Sequence, residues 1–328
     1  MEAMDVGFWL PPGADRPAEL AALAEARGFA SFWTGEVWGT DAFVTLADAA
    51  TATDRIALGT GIVNVFSRTP AVLAMGAATL DAVAEGRVRL GVGTSTARVV
   101  ETVHGGSFDR PVRRVDETVT IVQRLLGGGD EPVSYDGELL SVDEVPPLDV
   151  DVPIYNAALG EANRRVTGRR CDGWLPHNIP LFALESAFEV VADAARGAGR
   201  SPSDVRVTPH VPTAVAETDE AVRELLRGHV AYYVGSGAGY QRAVAAQFPA
   251  EAARVAELWA DGDRAGARAA VTAPMVDALG VAGTPETARE RFLATVDREV
   301  IDEPLVVPAG RPDAERLVAT VEALAPDG

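Results

Sequence analysis

The sequence contains no lysine, so all 29 of its basic side chains are arginines. A Walker-type phosphate loop needs a lysine after its glycines, and Schiff-base and pyridoxal enzymes need a lysine amine, so these classes are excluded. The 48 acidic residues give a net charge of −19, and no basic stripe is available to neutralise the phosphates of a nucleic acid. We therefore expect no nucleic-acid partner.

Cysteine is nearly absent as well. Cys171 is the only one, which excludes a disulfide within the chain and a cysteine-based zinc site, and we expect no bound metal. No apolar run is long enough to span a bilayer, and the first residues lack the apolar segment of a signal peptide. These absences predict a cytoplasmic protein with no membrane partner.

The excess of acidic residues indicates an adaptation to salt. Repulsion among so many like charges is costly in dilute buffer, but salt at about 1 M shortens the Debye length to about 3 Å. An acidic chain without lysine is therefore predicted to be halophilic. Drift in a GC-rich genome is the alternative, because it also replaces lysine by arginine.

Strand-like apolar segments alternate with helical segments along the 328 residues, which favours an α/β fold. We predict a single-domain (β/α)8 TIM barrel with active-site loops at the carboxyl ends of its strands. Two insertions are predicted, a hairpin near 133–142 and a helical segment, Tyr240–Ala270, near 235–275. The eight predicted strands are Asp5–Leu10, Phe29–Thr34, Ile56–Val65, Val88–Val92, Pro153–Ala158, Asp172–Leu175, Val205–Ala216 and Glu303–Val307.

The central stretch Arg55–Thr96 resembles the bacterial luciferase-like monooxygenase superfamily. More narrowly, the chain is similar to the branch that uses the deazaflavin coenzyme F420, which includes methylenetetrahydromethanopterin reductase. The resemblance covers residues 5–180 well. It is carried by the segments LGTGIVN (58–64), RTPAVLA (68–74), ATLD (78–81), GRV (86–88), LGVGT (90–94), PIYNAALG (153–160) and CDGW (171–174).

The resemblance implies a cofactor site at the carboxyl ends of two barrel strands. In relatives, the turn that matches Gly61, Ile62 and Val63 carries a cis peptide bond against the central ring of the cofactor. Asn64 and Thr94 match positions that hydrogen-bond the cofactor, although a role confined to the turn is an equal alternative for each. The backbone of a further loop is implied to hold the cofactor phosphate at a helix amino terminus; it consists of Ala157, Ala158, Leu159 and Gly160.

The predicted reaction centre departs from the family pattern. Many deazaflavin enzymes carry Asp-His where this chain has Glu36-Val37, and relatives that act on sugar phosphates carry a glutamate at the position of Thr96. Glu36, with Trp38 beside it, is the candidate general acid or base, and a structural carboxylate bonded to a barrel threonine or arginine is the alternative.

Histidines supply the remaining candidates. His177 follows the sixth predicted strand and is the candidate on the substrate side, together with Trp38 and Thr96. A purely structural role is the alternative for this histidine. We expect His210 in the core or at the barrel rim, and His104 and His229 at the surface.

The resemblance therefore implies hydride transfer between F420 and a small organic substrate, such as the C=N bond of a methylene-tetrahydropterin. An FMN-dependent monooxygenase that uses O2 is the alternative with the same fold. A non-catalytic flavin-fold subunit is the second alternative. A homodimer is also expected by resemblance.

Overall fold

A computed structural model describes residues 4–326, and it contains a parallel sheet of eleven strands and a separate two-stranded hairpin. The sheet follows the predicted order, since β1 pairs with β2, β2 with β3, β3 with β5 and β5 with β8. The strands are β1 Gly7–Leu10, β2 Ser31–Thr34, β3 Ala57–Thr60, β4 Val63–Asn64, β5 Val88–Gly93, β6 Val133–Asp136, β7 Ser141–Val145, β8 Ile154–Ala157, β9 Gly173–Trp174, β10 Arg206–Val207, β11 His210–Val215, β12 Val281–Gly283 and β13 Leu305–Pro308.

The sheet closes into a barrel through β10 and β11, which form one strand interrupted at residues 208 and 209. On one side, the amide of Thr208 donates to Trp174 O at 2.9 Å, and His210 forms a parallel bridge with His177. On the other side, β11 pairs with β13, and β13 pairs with β1. The predicted eight-stranded TIM barrel is therefore confirmed.

Helices surround the barrel, and each barrel strand is followed by at least one of them. No helix among residues 4–326 combines the length and apolarity needed to cross a membrane. The helices are α1 Pro17–Ala26, α2 Ala42–Ala50, α3 Pro70–Val83, α4 Ala97–Thr102, α5 Pro111–Leu126, α6 Glu161–Arg170, α7 Leu184–Gly197, α8 Asp219–Ser236, α9 Ala238–Ala245, α10 Pro249–Ala260, α11 Arg264–Ala269, α12 Ala273–Leu279, α13 Ala288–Val296 and α14 Ala314–Ala323.

Both predicted insertions are present. Strands β6 and β7 form the antiparallel hairpin. The helical segment is divided into α9, α10, α11 and α12, and it leads into β12, which pairs with β11. These helices pack against α8 around a second apolar cluster that includes Val230, Val255 and Met275.

A bulge interrupts the pairing between β3–β4 and β5 at the carboxyl end of the barrel. Gly59 pairs with Arg89 and Val63 pairs with Val92, so the first strand has one extra residue between these two pairs. Thr60 bridges the gap, because its hydroxyl is bonded to both the amide and the carbonyl of Gly91 at 2.8 Å. The bulge therefore displaces residues 61 and 62 from the regular ladder.

The opposite end of the barrel contains a fully buried carboxylate, Glu303. Arg89 donates to both of its oxygens, at 2.8 and 2.7 Å, and Arg206 donates at 3.2 Å. The hydroxyl of Ser31 donates to the same carboxylate. This ion pair is remote from the candidate site and serves as a structural element of the barrel floor.

Candidate active site

The displaced residues of the bulge carry a cis peptide bond between Gly61 and Ile62, as the sequence predicted. Three hydrogen bonds hold this segment. The Gly61 amide donates to Thr34 O at 2.7 Å, the Trp9 indole donates to Gly61 O at 2.8 Å, and the Glu36 amide donates to Ile62 O at 3.0 Å. The first three strands together therefore fix the position of the bulge.

The predicted phosphate loop lies where β8 leads into α6. Helix α6 begins after Gly160 without a side-chain cap, so the first amide groups of the helix are left for another acceptor. No atom lies within 4 Å of the position that a Cβ on Gly160 would occupy. An uncapped amino terminus beside open space fits an anionic group such as a phosphate.

Arginines of α6 do not point to this loop. Arg164 donates to Ala187 O at 2.6 Å, and Arg165 pairs with Glu161 one turn earlier. Burial lowers the pKa of Arg164. The backbone of the loop is thus the anion-binding element that this region offers.

Asn64 and Thr94 are engaged within their own turns. The Asn64 carboxamide oxygen accepts from the amides of Phe66 and Ser67 at 3.0 and 2.8 Å, and its nitrogen lies 3.2 Å from His104 Nε2. The Thr94 hydroxyl donates to Ser95 O at 3.2 Å. These contacts agree with the turn-holding alternative, and hydrogen bonds from these side chains to a cofactor remain a prediction.

Thr96 has a local structural role in addition to any contact with a substrate. Its side chain caps α4 by accepting from the Val99 amide at 3.3 Å.

Glu36 forms an ion pair with Arg68, which lies in the loop before α3. Arg68 Nη2 is 2.7 Å from Glu36 Oε1, and the second guanidinium nitrogen bonds the other carboxylate oxygen. Glu36 Oε1 also accepts from the Ala42 amide at 2.9 Å, and Arg68 bonds Asp41 at 2.5 Å. Hydrogen bonding to Glu36 raises the pKa of Arg68. The carboxylate thus joins the loop before α3 to the start of α2, whereas the Glu36 amide bonds the bulge. The role of the carboxylate as general acid or base remains a prediction.

A cluster of buried rings lies beside the bulge. We call His177, His210, His229, Tyr233 and Tyr240 the histidine cluster. The His177 ring stacks on His210 at 5.1 Å between centroids and lies 4.4 Å from Tyr233 and 5.9 Å from His229. A Cβ on the neighbouring Gly61 would lie 3.5 Å from His210 Nε2. The cluster therefore joins the bulge to α8 and α9.

Each imidazole of the cluster has one buried ring nitrogen without a hydrogen-bond partner among the described residues. Burial lowers the pKa of His210 to about 4, although the Gly61 backbone acts in the opposite direction. Burial, together with the nearby His210, also lowers the pKa of His229 to about 4, and burial lowers that of His177 well below its usual value. The cluster is thus neutral near pH 7.

His229 was expected at the surface, and that expectation is wrong. The side chain is only 8% exposed, because α8 turns it towards β11 rather than towards solvent. The sequence did contain a signal for this. Val222, Leu226, His229 and Tyr233 recur at three- and four-residue intervals, which is the spacing of one helix face.

A cavity of about 1030 Å³ opens next to the cluster, between the ends of β1, β11 and β13 and the helix α8. Trp9, Trp38, His229 and Tyr233 line it, as does Val37. Trp9 also bonds the bulge, so the cavity begins directly beside Gly61. Trp38 lines the cavity, whereas His177 belongs to the histidine cluster behind its wall. Contact of either side chain with a substrate remains a prediction.

No group of three or more histidine, cysteine or acidic side chains within residues 4–326 has the arrangement of a metal site. The cavity and the bulge therefore offer aromatic rings, arginines and backbone groups to a ligand. Such a set suits a planar organic molecule with an anionic substituent.

Comparisons with known proteins agree with this geometry. The family model described as luciferase-like monooxygenase matches residues 6–302. A Mycobacterium tuberculosis protein named as a coenzyme F420-dependent oxidoreductase is 31% identical over 249 residues, which cover 71% of this chain and 72% of that protein. The 5,10-methylenetetrahydromethanopterin reductase of Methanolobus tindarius is 27% identical, with 93% of each chain covered.

Among solved structures, the F420-dependent tetrahydromethanopterin reductase of Methanopyrus kandleri superimposes with a TM-score of 0.80. The two chains are 24% identical, and the match covers 98% of each. This structural likeness shows the fold and extends over the inserted helices as well as the barrel.

Proposed function

Because the chain belongs to the luciferase-like monooxygenase family, we propose that it is an oxidoreductase that uses coenzyme F420 to transfer a hydride to or from a small organic substrate. The name of the Mycobacterium tuberculosis relative, a coenzyme F420-dependent oxidoreductase, supports the cofactor. The observation that carries the proposal is the pairing of the bulge at Gly61 and Ile62, which hydrogen bonds from the neighbouring strands hold at the barrel rim, with an uncapped, open helix amino terminus at Gly160. The bulge suits a flat ring, and the helix amino terminus suits the phosphate on the side chain of the cofactor.

The bound deazaflavin supplies the hydride chemistry, and the protein supplies position and surroundings. Trp9, Thr34 and Glu36 fix the bulge that would support the ring. The amides at the start of α6 would hold the phosphate, and the small side chains of Ala157 and Ala158 let it approach the backbone.

The cavity beside Trp9 would take the substrate. Its aromatic lining and the neutral histidine cluster exclude water from the reacting atoms, which protects a hydride transfer from side reactions. Reduction of a methylene-tetrahydropterin C=N bond is the substrate reaction that we favour, because two relatives carry that activity in their names.

A matched pair of variants tests the phosphate loop. Gly160→Asp places a carboxylate beside the phosphate, whereas Gly160→Ala is tolerated because φ is −75° and the space is open. We expect Gly160→Asp to weaken F420 binding by about a hundredfold, from a like-charge contact of a few kcal/mol in a partly dry site. Gly160→Ala should bind almost normally.

The deazaflavin riboside that lacks the phosphate serves as the matched ligand. Its affinity should be the same for both variants, since it has no group at the loop. Equal F420 affinity in Gly160→Asp and Gly160→Ala would contradict the assignment of this loop.

An FMN-dependent monooxygenase is the second candidate, because the matching family is named for that activity. Oxygen consumption distinguishes the two, since a deazaflavin does not form a productive oxygen adduct. Substrate-dependent uptake of O2 with reduced FMN, and none with reduced F420, would favour the monooxygenase.

A further inference from the structure

We propose that the substrate of this enzyme is a planar heteroaromatic acid whose acidic group is bound by Arg268, Arg311 and Arg316 at the wall of the cavity. The inference rests on the proposed function, because it names the class of molecule that receives or gives the hydride. It adds the requirement that the substrate carries a negative charge, which neither the bulge nor the phosphate loop imposes.

The three arginines lack the partners that most arginines of this chain have. Arginines elsewhere pair with carboxylates, for example Arg68 with Glu36 and Arg89 with Glu303. Within residues 4–326, the side chains of Arg268, Arg311 and Arg316 form no ion pair and donate no hydrogen bond, yet all three line the same cavity. Their guanidinium groups are therefore available to a ligand.

The side chains that line the cavity carry more positive than negative charge, although the chain carries a net charge of −19. Its one lining carboxylate, Glu224, already pairs with Arg227 at 2.5 Å. The guanidinium of Arg268 lies over α8, with atoms 3.5–3.6 Å from the Cβ position of Gly228, the residue before His229. Guanidinium groups bind carboxylates and phosphates through paired N–H donors, and a local reversal of sign guides an anion to this opening.

The aromatic side of the cavity indicates a flat ring. Trp38 is 55% exposed and Tyr232 is 40% exposed, and both line the cavity with Trp9. Large aromatic side chains left open in this way gain by stacking on a planar ligand. Trp9 lies against the bulge through its bond to Gly61 O, so the ring end of the ligand is expected nearest the cofactor site.

These arginines are separate from the predicted cofactor phosphate site. The cavity borders β1, β11 and β13, whereas the loop at Gly160 follows β8 on another part of the barrel rim. Loss of the arginines should therefore change the affinity for substrate and leave the affinity for F420 unchanged.

A series of ligands that share the pterin ring system and increase in negative charge tests the inference. Pterin is neutral, pterin-6-carboxylate has one carboxylate, and pteroylglutamate has two. We would measure binding of each by calorimetry to the full chain, with and without F420, at low and at molar KCl. The triple variant Arg268→Gln, Arg311→Gln, Arg316→Gln is compared with wild type. Arg298→Gln is the matched control, because Arg298 is exposed outside the cavity and its side chain, among the described residues, donates only to Thr295 O.

We expect wild type at low salt to bind pteroylglutamate about tenfold or more tighter than pterin, and molar KCl to reduce that preference by screening. The triple variant should lose the preference while it keeps its affinity for pterin and for F420. Arg298→Gln should behave as wild type.

Equal binding of pterin and pteroylglutamate by wild type would overturn the inference. An unchanged preference for pteroylglutamate in the triple variant would also overturn it, as would a failure of wild type to bind any of the three ligands. Failure of F420 to bind would instead count against the proposed function. The two failures can be distinguished, because the preference for charged ligands is also measured without F420.

Discussion

Replacement of His210 by glutamine tests whether the buried imidazoles are neutral in the folded protein. Burial lowers the pKa of His210 to about 4, below the ordinary value of 6.5. As the pH falls, the unfolded chain takes up the proton before the folded chain does. The imidazole therefore makes its full contribution to stability only above about pH 6.5. The contribution is lost as the pH falls towards 4, and acidification should unfold the protein more easily.

The size of the effect follows from the two pKa values. One pKa unit corresponds to about 1.4 kcal/mol, so a single imidazole with these values lowers the free energy of unfolding by about 2 kcal/mol between roughly pH 7.5 and pH 5. Carboxylates titrate in the same range, but they do so in wild type and variant alike. Their contribution therefore cancels in the difference between the two proteins.

Urea unfolding at constant molar salt, at both pH values, measures that difference. Between the two pH values, His210→Gln should lose about 2 kcal/mol less stability than wild type does. Val211→Ala is the control, because this fully buried neighbour on β11 carries no proton, and its loss should lower stability equally at both pH values. The same pH dependence in wild type and His210→Gln would refute the neutral, buried imidazole.

Four further results are expected. Glu303→Gln should lower the free energy of unfolding by about 3–5 kcal/mol, because the mostly buried Arg89 loses its counterion, and it should leave F420 affinity unchanged; a variant with wild-type stability in urea would contradict this. Gly91→Ala should fail to fold, since its Cβ would lie 1.9 Å from Thr60 O, and a normal melting curve would disprove the close approach. Glu36→Gln should lower kcat more than about tenfold if Glu36 transfers a proton, whereas a change in melting temperature alone would assign it to structure. Three apolar side chains of α3, Val72, Met75 and Val83, are exposed, and we propose that they lie between the two copies of the homodimer that the resemblance implies. Met75→Glu should then turn a dimer into a monomer in sedimentation, and a monomeric wild type would rule out that contact.

The barrel could be predicted because its signals are local. Each strand is a short apolar run bounded by turn residues, and each helix has recognisable ends, such as Pro70 at the start of α3. The resemblance to related enzymes also selected Gly61 and Gly160 as candidate site residues out of 32 glycines, and their contact with a cofactor remains a prediction. The family and the fold therefore followed from the sequence.

The partners of the site residues could not be predicted in the same way. Arg68 lies 32 positions from Glu36, and no spacing rule connects two residues that meet only when adjacent barrel loops converge. The histidine cluster likewise joins β11, α8 and α9 through contacts between rings, which only the folded chain brings together. Among these, only His229 and Tyr233 on α8 share a helical spacing that pointed to burial.

A titration of wild type with F420 and, in parallel, with FMN tests the central claim most directly. Trp9 lies beside the bulge, so quenching of tryptophan fluorescence at molar salt should report a bound ring. We predict tight, saturable binding of F420 and weak binding of FMN. Preference for FMN, or binding of neither, would contradict the account.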